Sequence, residues 1–147
     1  MFKVDLTIKI AGEAGHGLQA VGSLLSRLFA RKGYYVFANQ VVQSRVRGGH
    51  NWFAVRIADH PVHSPSLKTD ILVALDQESS CHLKELGKDS IVIFDSRQAA
   101  FPVGTGRMLD VPMAELASKS GGNKLMVNTV AASLVLGLLN FDPEDLF

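Results

Sequence analysis

The sequence predicts an α/β fold: a three-layer, mostly parallel, doubly wound sheet with a hairpin at one edge. Three observations predict it. Short runs rich in Val, Ile and Leu recur at 4–11, 71–75 and 90–94. Segments with apolar residues at three-and-four spacing alternate with the strand patterns. The first junction between the two patterns is a glycine-rich turn, Ala11-Gly-Glu-Ala-Gly-His-Gly17.

The elements follow in order. Residues 4–11 form the first strand. Residues 17–32 form a helix with Leu18, Val21, Leu24, Leu25, Leu28 and Phe29 on one face. Gly33 ends it, and Arg31 and Lys32 complement its dipole. Residues 34–38 are a second strand, which makes a βαβ unit with a right-handed crossover. Residues 39–49 are polar. His50–Ala58 is a strand, Asp59-His60-Pro61 turns the chain, and Val62-His63-Ser64 is a candidate hairpin partner. Residues 71–75 are a buried strand. Residues 77–86 read as a helix closed by Gly87, and 90–94 as the next buried strand, ending at Asp95. Residues 101–111 read as a loop and a short strand from Met108. Pro112 or Met113 opens a short helix that stops before Gly121-Gly122. Residues 124–139 form a strongly apolar, largely buried helix. After it, Asp142 and Pro143 look like an N-cap and N1 of another helix. The chain stops there, so the expectation is a fragment of a longer polypeptide, with 1–147 a single domain.

Composition bounds the function. With 147 residues, 47% hydrophobic and 20% charged, the chain suits one soluble globular domain with its own core. A net charge of +1 gives no electrostatic case for nucleic acid or an acidic membrane surface. The single cysteine, Cys81, rules out an internal disulfide and an iron–sulfur cluster held by this chain alone. It also suits a reducing compartment. No apolar run reaches membrane-spanning length and no secretory h-region is present, so a cytoplasmic location is expected.

Two constellations carry chemistry. The first is the glycine turn. Gly12, Gly15 and Gly17 give G-x-x-G-x-G, which is not the order of the dinucleotide motif. Asn39 and Gln40 stand where that motif expects an acid. Leu18 and Gln19 stand where a P-loop needs Lys and Ser or Thr. The turn is either a ligand-contacting helix N-terminus or a tight βα connection with no ligand. The second constellation is Arg45-Val46-Arg47-Gly48-Gly49-His50. Two arginines with flexible backbone N–H groups make an anion cradle or a partner-facing loop. Both readings make it a contact surface.

Other candidates are weaker. The histidines at 16, 50, 60, 63 and 82 have no metal-ligand company at a known spacing, so no metal site is predicted. Asp76, Glu78, Ser79 and Ser80 look like a helix N-terminus. Asp95 sits at a strand's carboxyl end, where a lone acid serves as a cap or turn residue and where α/β sheets also bind ligands.

These residues carry a resemblance. The turn from Ala11 to Gly17, Val46-Arg-Gly-Gly-His50 before Trp-Phe-Ala-Val-Arg, Asp70-Ile-Leu-Val-Ala-Leu-Asp-Gln-Glu78, and Asn128-Thr-Val-Ala followed by Gly137 resemble the gamma subunit or gamma domain of 2-oxoacid:ferredoxin oxidoreductases. They occur in that family's order over nearly the whole chain. The form is closest to the type in which the gamma domain is fused at the N-terminus of the alpha subunit. The chain departs at Ala14, where a further glycine is usual, and a methyl group there narrows close approach.

The resemblance implies a complex that converts a 2-oxoacid such as 2-oxoglutarate or pyruvate, coenzyme A and oxidised ferredoxin into acyl-CoA, carbon dioxide and reduced ferredoxin. Thiamine diphosphate, Mg2+ and iron–sulfur clusters serve that complex, whose alpha and beta subunits or domains are catalytic. This chain has no Gly-Asp-Gly diphosphate motif and no cysteine set, so it is expected to be non-catalytic and to bind none of these cofactors alone. By the resemblance, the residues contacting ligand or partner are Gly12, Glu13, Gly15, His16, Gly17, Arg47, Gly48, Gly49, His50 and Asn128. The competing reading is a stand-alone nucleotide- or CoA-binding α/β module.

Overall fold

The computed structural model describes residues 3–13, 17–43, 49–102, 104–121, 126–142 and 144. Among them run β1 (Asp5–Glu13), α1 (Leu18–Arg31), β2 (Tyr35–Val41), β3 (His50–Ala58) and β4 (Thr69–Ala74). A 3₁₀ segment (Gln77–Glu85), β5 (Leu86–Phe94), β6 (Arg107–Asp110), α2 (Met113–Lys119) and α3 (Met126–Leu138) follow. The sheet order is β2-β3-β1-β4-β5-β6. The pairings β1–β4, β4–β5 and β5–β6 are parallel, while β3 is antiparallel to both neighbours. The α/β class holds, with a hairpin at one edge.

That hairpin is β2–β3. Residues 62–64, the expected hairpin partner, are not a strand. Every residue from Tyr35 to Val41 pairs with β3, so β2 runs three residues past its expected end at Ala38 into the polar segment. Two antiparallel pairings make β2 parallel to β1. The expected βα crossover therefore exists, but it passes over β3 instead of joining adjacent strands. β1 is also longer than expected: Gly12 and Glu13 pair with Asn51 and His50. The strand continues because β3 offers partners that far.

Odd and even positions go to opposite faces. On one face Ile8, Ile10, Phe53, Val55, Ile57, Ile71, Val73 and Ile93 meet all three α-helices, including Leu25, Phe29 and Val135. Gly22 of α1 lies against the Phe53 ring, where an added Cβ would sit 2.1 Å from it. The other face has a smaller apolar cluster of Ala11, Leu72, Ala74 and Val92, with Trp52 and Leu83 packed against it. Its cover is the 3₁₀ segment, not an α-helix. Asp76 tightens that segment's first turn, its carboxylate accepting from the Ser79 N–H at 3.0 Å. The segment ends at Glu85, so Gly87 lies within β5 and closes no helix.

Other element ends follow the sequence. Gly33, at φ 91°, terminates α1 and donates to the Ala30 carbonyl. Pro112 is the N-cap of α2. The Asp142 carboxylate accepts from the Glu144 N–H at 2.9 Å. Among the described residues no helix is long and apolar enough to cross a membrane.

Candidate functional site

Of the expected contact residues, those that are described, Gly12, Glu13, Gly17, Gly49, His50 and Asn128, lie toward one end of the sheet. β1, β4 and β5 are parallel, so Glu13, Leu75 and Asp95 mark a common carboxyl end. β3 runs the other way and brings its first residue, His50, to the same end. α1 and α2 begin beside it. Crevices at this end are where open α/β sheets place ligands.

Gly17 and Asn128 meet in the crevice. Gly17 has φ 68°, a left-handed conformation that glycine adopts freely. Its carbonyl accepts from Ala20 and Val21 at the start of α1. A Cβ there would come within 2.9 Å of the Asn128 amide nitrogen. Asn128 is 3% exposed, and its Oδ1 has no partner among the described residues. A buried acceptor without a donor costs about 1–3 kcal/mol, which a ligand N–H would recover. Asn128 lines a cavity of about 150 Å³ with Leu75, Asp95, Gln98, Met113, Ala114 and Val127.

Asp95 is a fastener in this crevice, as the cap reading of a lone acid expects. Its Oδ1 accepts from the Arg97 N–H and its Oδ2 from the Ala114 N–H, at 3.1 and 3.2 Å. That joins the end of β5 to the start of α2.

Gly12, Glu13 and His50 form a second group. Gly12 and Glu13 lie in the β1 ladder, and Glu13 is exposed opposite His50. Gly49 is buried, and a Cβ there would lie 2.3 Å from Gln43 Cβ. Gln43 in turn donates its N–H to Asn51 Oδ1 at 2.6 Å. Gly49 is thus held by packing beyond the β2–β3 hairpin. Gly15, His16, Arg47 and Gly48, also expected at the site, lie outside the described residues.

Behind His50 lies a polar network that sequence reasoning missed. Lys9, 7% exposed, pairs with Glu85 and sits 4.4 Å from the centre of the Trp52 ring. Thr69 donates its hydroxyl to Glu85 Oε2 at 2.9 Å. His82 Nδ1 lies 2.9 Å from Glu85 Oε1, and His82 Nε2 lies 2.9 Å from His50 Nε2. His50 Nδ1 faces Asp76 Oδ1 at 3.8 Å. Ser79 Oγ lies between Asp76 and the Ala11 carbonyl, at 2.8 and 3.0 Å.

Burial holds the His82 imidazole below its ordinary pKa; Glu85 opposes this and the nearby Lys9 charge reinforces it. Burial would raise the Glu85 carboxyl, but hydrogen bonds from His82, Lys9 and Thr69 outweigh it and keep it low. Asp76, read as part of a helix start, does cap the 3₁₀ segment. Two signals pointed to the rest. Lys9 stands between Ile8 and Ile10 in a strand that needs a buried partner, and His82 and Glu85 are three residues apart on one helical face.

Among the described residues, the donors that an iron–sulfur cluster or a metal at Asp95 would need are too few or already engaged. One thiolate cannot hold an iron–sulfur cluster, and both Asp95 carboxylate oxygens already accept backbone N–H groups. The architecture defines a mixed-sheet α/β domain with a small crevice at the carboxyl end of its parallel strands.

The chain belongs to the pyruvate ferredoxin/flavodoxin oxidoreductase family, whose model matches residues 7–146. It is 33% identical over 147 residues to the ketoisovalerate oxidoreductase subunit VorA of Methanothermobacter thermautotrophicus. That match covers 95% of this chain and 30% of the relative, so the chain spans under a third of that subunit's length. Among solved structures it is similar to the 2-oxoglutarate:ferredoxin oxidoreductase of Magnetococcus marinus, solved with 2-oxoglutarate, coenzyme A and succinyl-CoA bound. The TM-score is 0.85 at 22% identity, over 99% of this chain and 26% of that one. It is also similar to a keto/oxoacid ferredoxin oxidoreductase gamma subunit of Geobacter sulfurreducens, with TM-score 0.80 and 22% identity, over 96% and 82% of the two chains. The family expected from the sequence motifs is borne out.

Proposed function

We propose that this chain is the gamma-type, non-catalytic domain of a cytoplasmic 2-oxoacid:ferredoxin oxidoreductase. In that reading the enzyme oxidatively decarboxylates a 2-oxoacid such as 2-oxoglutarate to the acyl-CoA and passes the electrons to ferredoxin. Thiamine diphosphate, Mg2+ and the iron–sulfur cluster belong to the catalytic alpha and beta subunits or domains. This chain supports assembly and shapes the approach of coenzyme A.

The observation that carries the assembly role is an open apolar groove between β6, α2 and α3, with a volume of about 590 Å³. Leu109, Leu116, Met126 and Leu138 line it and are each 37–41% exposed. A catalytic domain packing there would bury these side chains. The CoA role is supported by Asn128, whose Oδ1, unpartnered among the described residues, suits an amide N–H such as the pantetheine arm carries. The crevice itself, about 150 Å³, is smaller than the roughly 300–1,000 Å³ of ordinary ligand pockets, so it would take only part of a ligand whose remainder lies against another domain.

Arg47→Ala tests this reading. The expected result is stability of the isolated domain within about 0.5 kcal/mol of the parent, as for a surface change. In the assembled enzyme, the apparent KM for coenzyme A rises or assembly weakens, by about 1–3 kcal/mol for a lost charge-assisted bond. Collapsed stability with CoA kinetics and assembly untouched would make Arg47 structural and sink the contact reading.

A further inference from the structure

The imidazoles of His50 and His82 aim the same atom at the same place. Their Nε2 atoms are 2.9 Å apart. Cys81 joins them: its sulfur and the two histidine nitrogens all lie within 4.8 Å of one another. His82 is 5% exposed and His50 is half-buried, while Cys81 is open to solvent.

Hydrogen counting shows what the pair lacks. His82 Nδ1 lies 2.9 Å from the Glu85 carboxylate and 3.4 Å from the Lys9 ammonium. The closer contact is the one that takes its hydrogen, with Lys9 engaged by Glu85, and Nε2 then presents a lone pair. If His50 is neutral and donates from Nε2, its Nδ1 is left as a bare lone pair. That atom is buried, has no hydrogen-bond partner among the described residues, and faces the Asp76 carboxylate at 3.8 Å. Two acceptors then oppose one another. A cation between the Nε2 atoms removes the conflict. Both Nε2 lone pairs are used, and both Nδ1–H groups point toward carboxylates, Glu85 behind His82 and Asp76 behind His50. Carboxylates in this position orient and strengthen metal-bound imidazoles.

We propose that His50, Cys81 and His82 form a binding site for a zinc-class divalent cation. Two neutral imidazoles and one thiolate hold it, and the fourth position stays open to water on the Cys81 side. One thiol proton leaves for solvent per ion bound, and no electron moves. The donor set decides the class. A thiolate with two imidazoles suits zinc and its borderline neighbours; magnesium and calcium prefer oxygen.

The geometry is close to what such an ion needs. Metal–nitrogen and metal–sulfur bonds of about 2.0 and 2.3 Å place tetrahedral ligand atoms about 3.3–3.6 Å apart. Opening the imidazole pair by a few tenths of an ångström and turning the exposed Cys81 side chain achieves that. The frame is rigid: His50 is held in the β1–β3 ladder, and the 3₁₀ segment is anchored by Asp76 and by Ser79 at the Ala11 carbonyl. This site goes beyond the proposed role in the oxidoreductase, and its test does not depend on that role.

The test is a titration of the full, metal-stripped chain with Co2+, followed by competition with Zn2+. The expected result is one Co2+ per chain, a thiolate-to-cobalt charge-transfer band, the visible bands of a tetrahedral site, and displacement of both by Zn2+. Cys81→Ser, at an exposed position, should remove the charge-transfer band. His50→Gln should weaken binding by at least the roughly 10–100-fold typical of a lost outer-shell partner. Circular dichroism establishes that each variant is folded, and Cys81→Ser carries the test should His50→Gln fail to fold. Absence of a saturable thiolate band, or binding unchanged in folded Cys81→Ser, would overturn the proposal. In the first case the imidazole pair is bridged by hydrogen alone; in the second the ion binds elsewhere.

Discussion

The two faces of the sheet are built by different physics. Under the α-helices, Ile8, Ile10, Val55, Val73, Leu25 and Phe29 pack with almost no exposure and no side-chain hydrogen bonds among them. On the other face Thr7, Lys9, Thr69, Ser79, His82 and Ser90 are also buried, and each is polar. The first face is held by area and shape, which tolerate exchange of one apolar group for another of similar volume. The second is held by a network in which each partner satisfies another. Removing one member there strands the rest. The two faces should therefore answer differently to substitution.

Breaking the helical face should have the largest effect. Phe29 is fully buried, with the rings of Tyr34 and Phe141 edge-on at 6.4 and 5.3 Å. Phe29→Ala should cost about 3–5 kcal/mol in urea unfolding. On the same face Gly22→Ala should cost about 1–3 kcal/mol through overpacking against Phe53.

The polar face sharpens the contrast. Lys9→Met should cost about 2–3 kcal/mol, below the full cost of breaking a buried pair because the Glu85 side chain keeps 21% exposure. The double variant Lys9→Met, Glu85→Gln should cost less than the sum of the two single changes. Additive costs in that double-mutant cycle would mean that the two groups do not act as a pair.

At the crevice, Gly17→Ala should cost about 1–2 kcal/mol, from positive φ and the approach to Asn128. An unchanged thermal midpoint would show that this corner relaxes freely.

The smallest effect belongs to Glu115, whose side chain is 34% exposed and whose carboxyl is drawn down to about 2 by Lys119 and then Arg97. The folded state binds its proton less readily than the unfolded chain does. The stabilisation is therefore fully present above the ordinary 4.5 and fades as pH falls toward 2. Glu115→Gln should slightly flatten the acid limb of a plot of thermal midpoint against pH, and an unaltered limb would contradict the assignment.

The helical face was legible in the sequence because its information is local. Three-and-four spacing from Leu18 to Phe29 and from Met126 to Leu138 located the helices, and apolar runs located β4 and β5. The mixed sheet was less legible. β2 and β3 pair through positions such as Asn39 and Gln40, whose polarity reads as loop but which sit at an edge strand where polarity costs little. The 3₁₀ segment was read as an α-helix because Asp76 and Ser79 give the same signal at either kind of helix start. The polar network was not legible as a whole. Lys9, His50, Glu85 and Asp76 meet only after the sheet order is known; the spacing of His82 and Glu85 and the lone Lys9 among apolar neighbours announce its pieces but not their meeting. Of the expected contact residues, Gly17 and Asn128 were named separately from motif resemblance, and the fold brings them into contact.

The most direct measurement of the central claim is dye reduction in two tubes. One holds the purified chain with 2-oxoglutarate, coenzyme A and an oxidised viologen. The other adds the thiamine- and cluster-bearing subunits of the same enzyme, which should themselves be slow or poorly assembled without this chain. The account predicts no reduction in the first tube and restored reduction in the second. Reduction by the chain alone, or no dependence of the catalytic subunits on its presence, would contradict it.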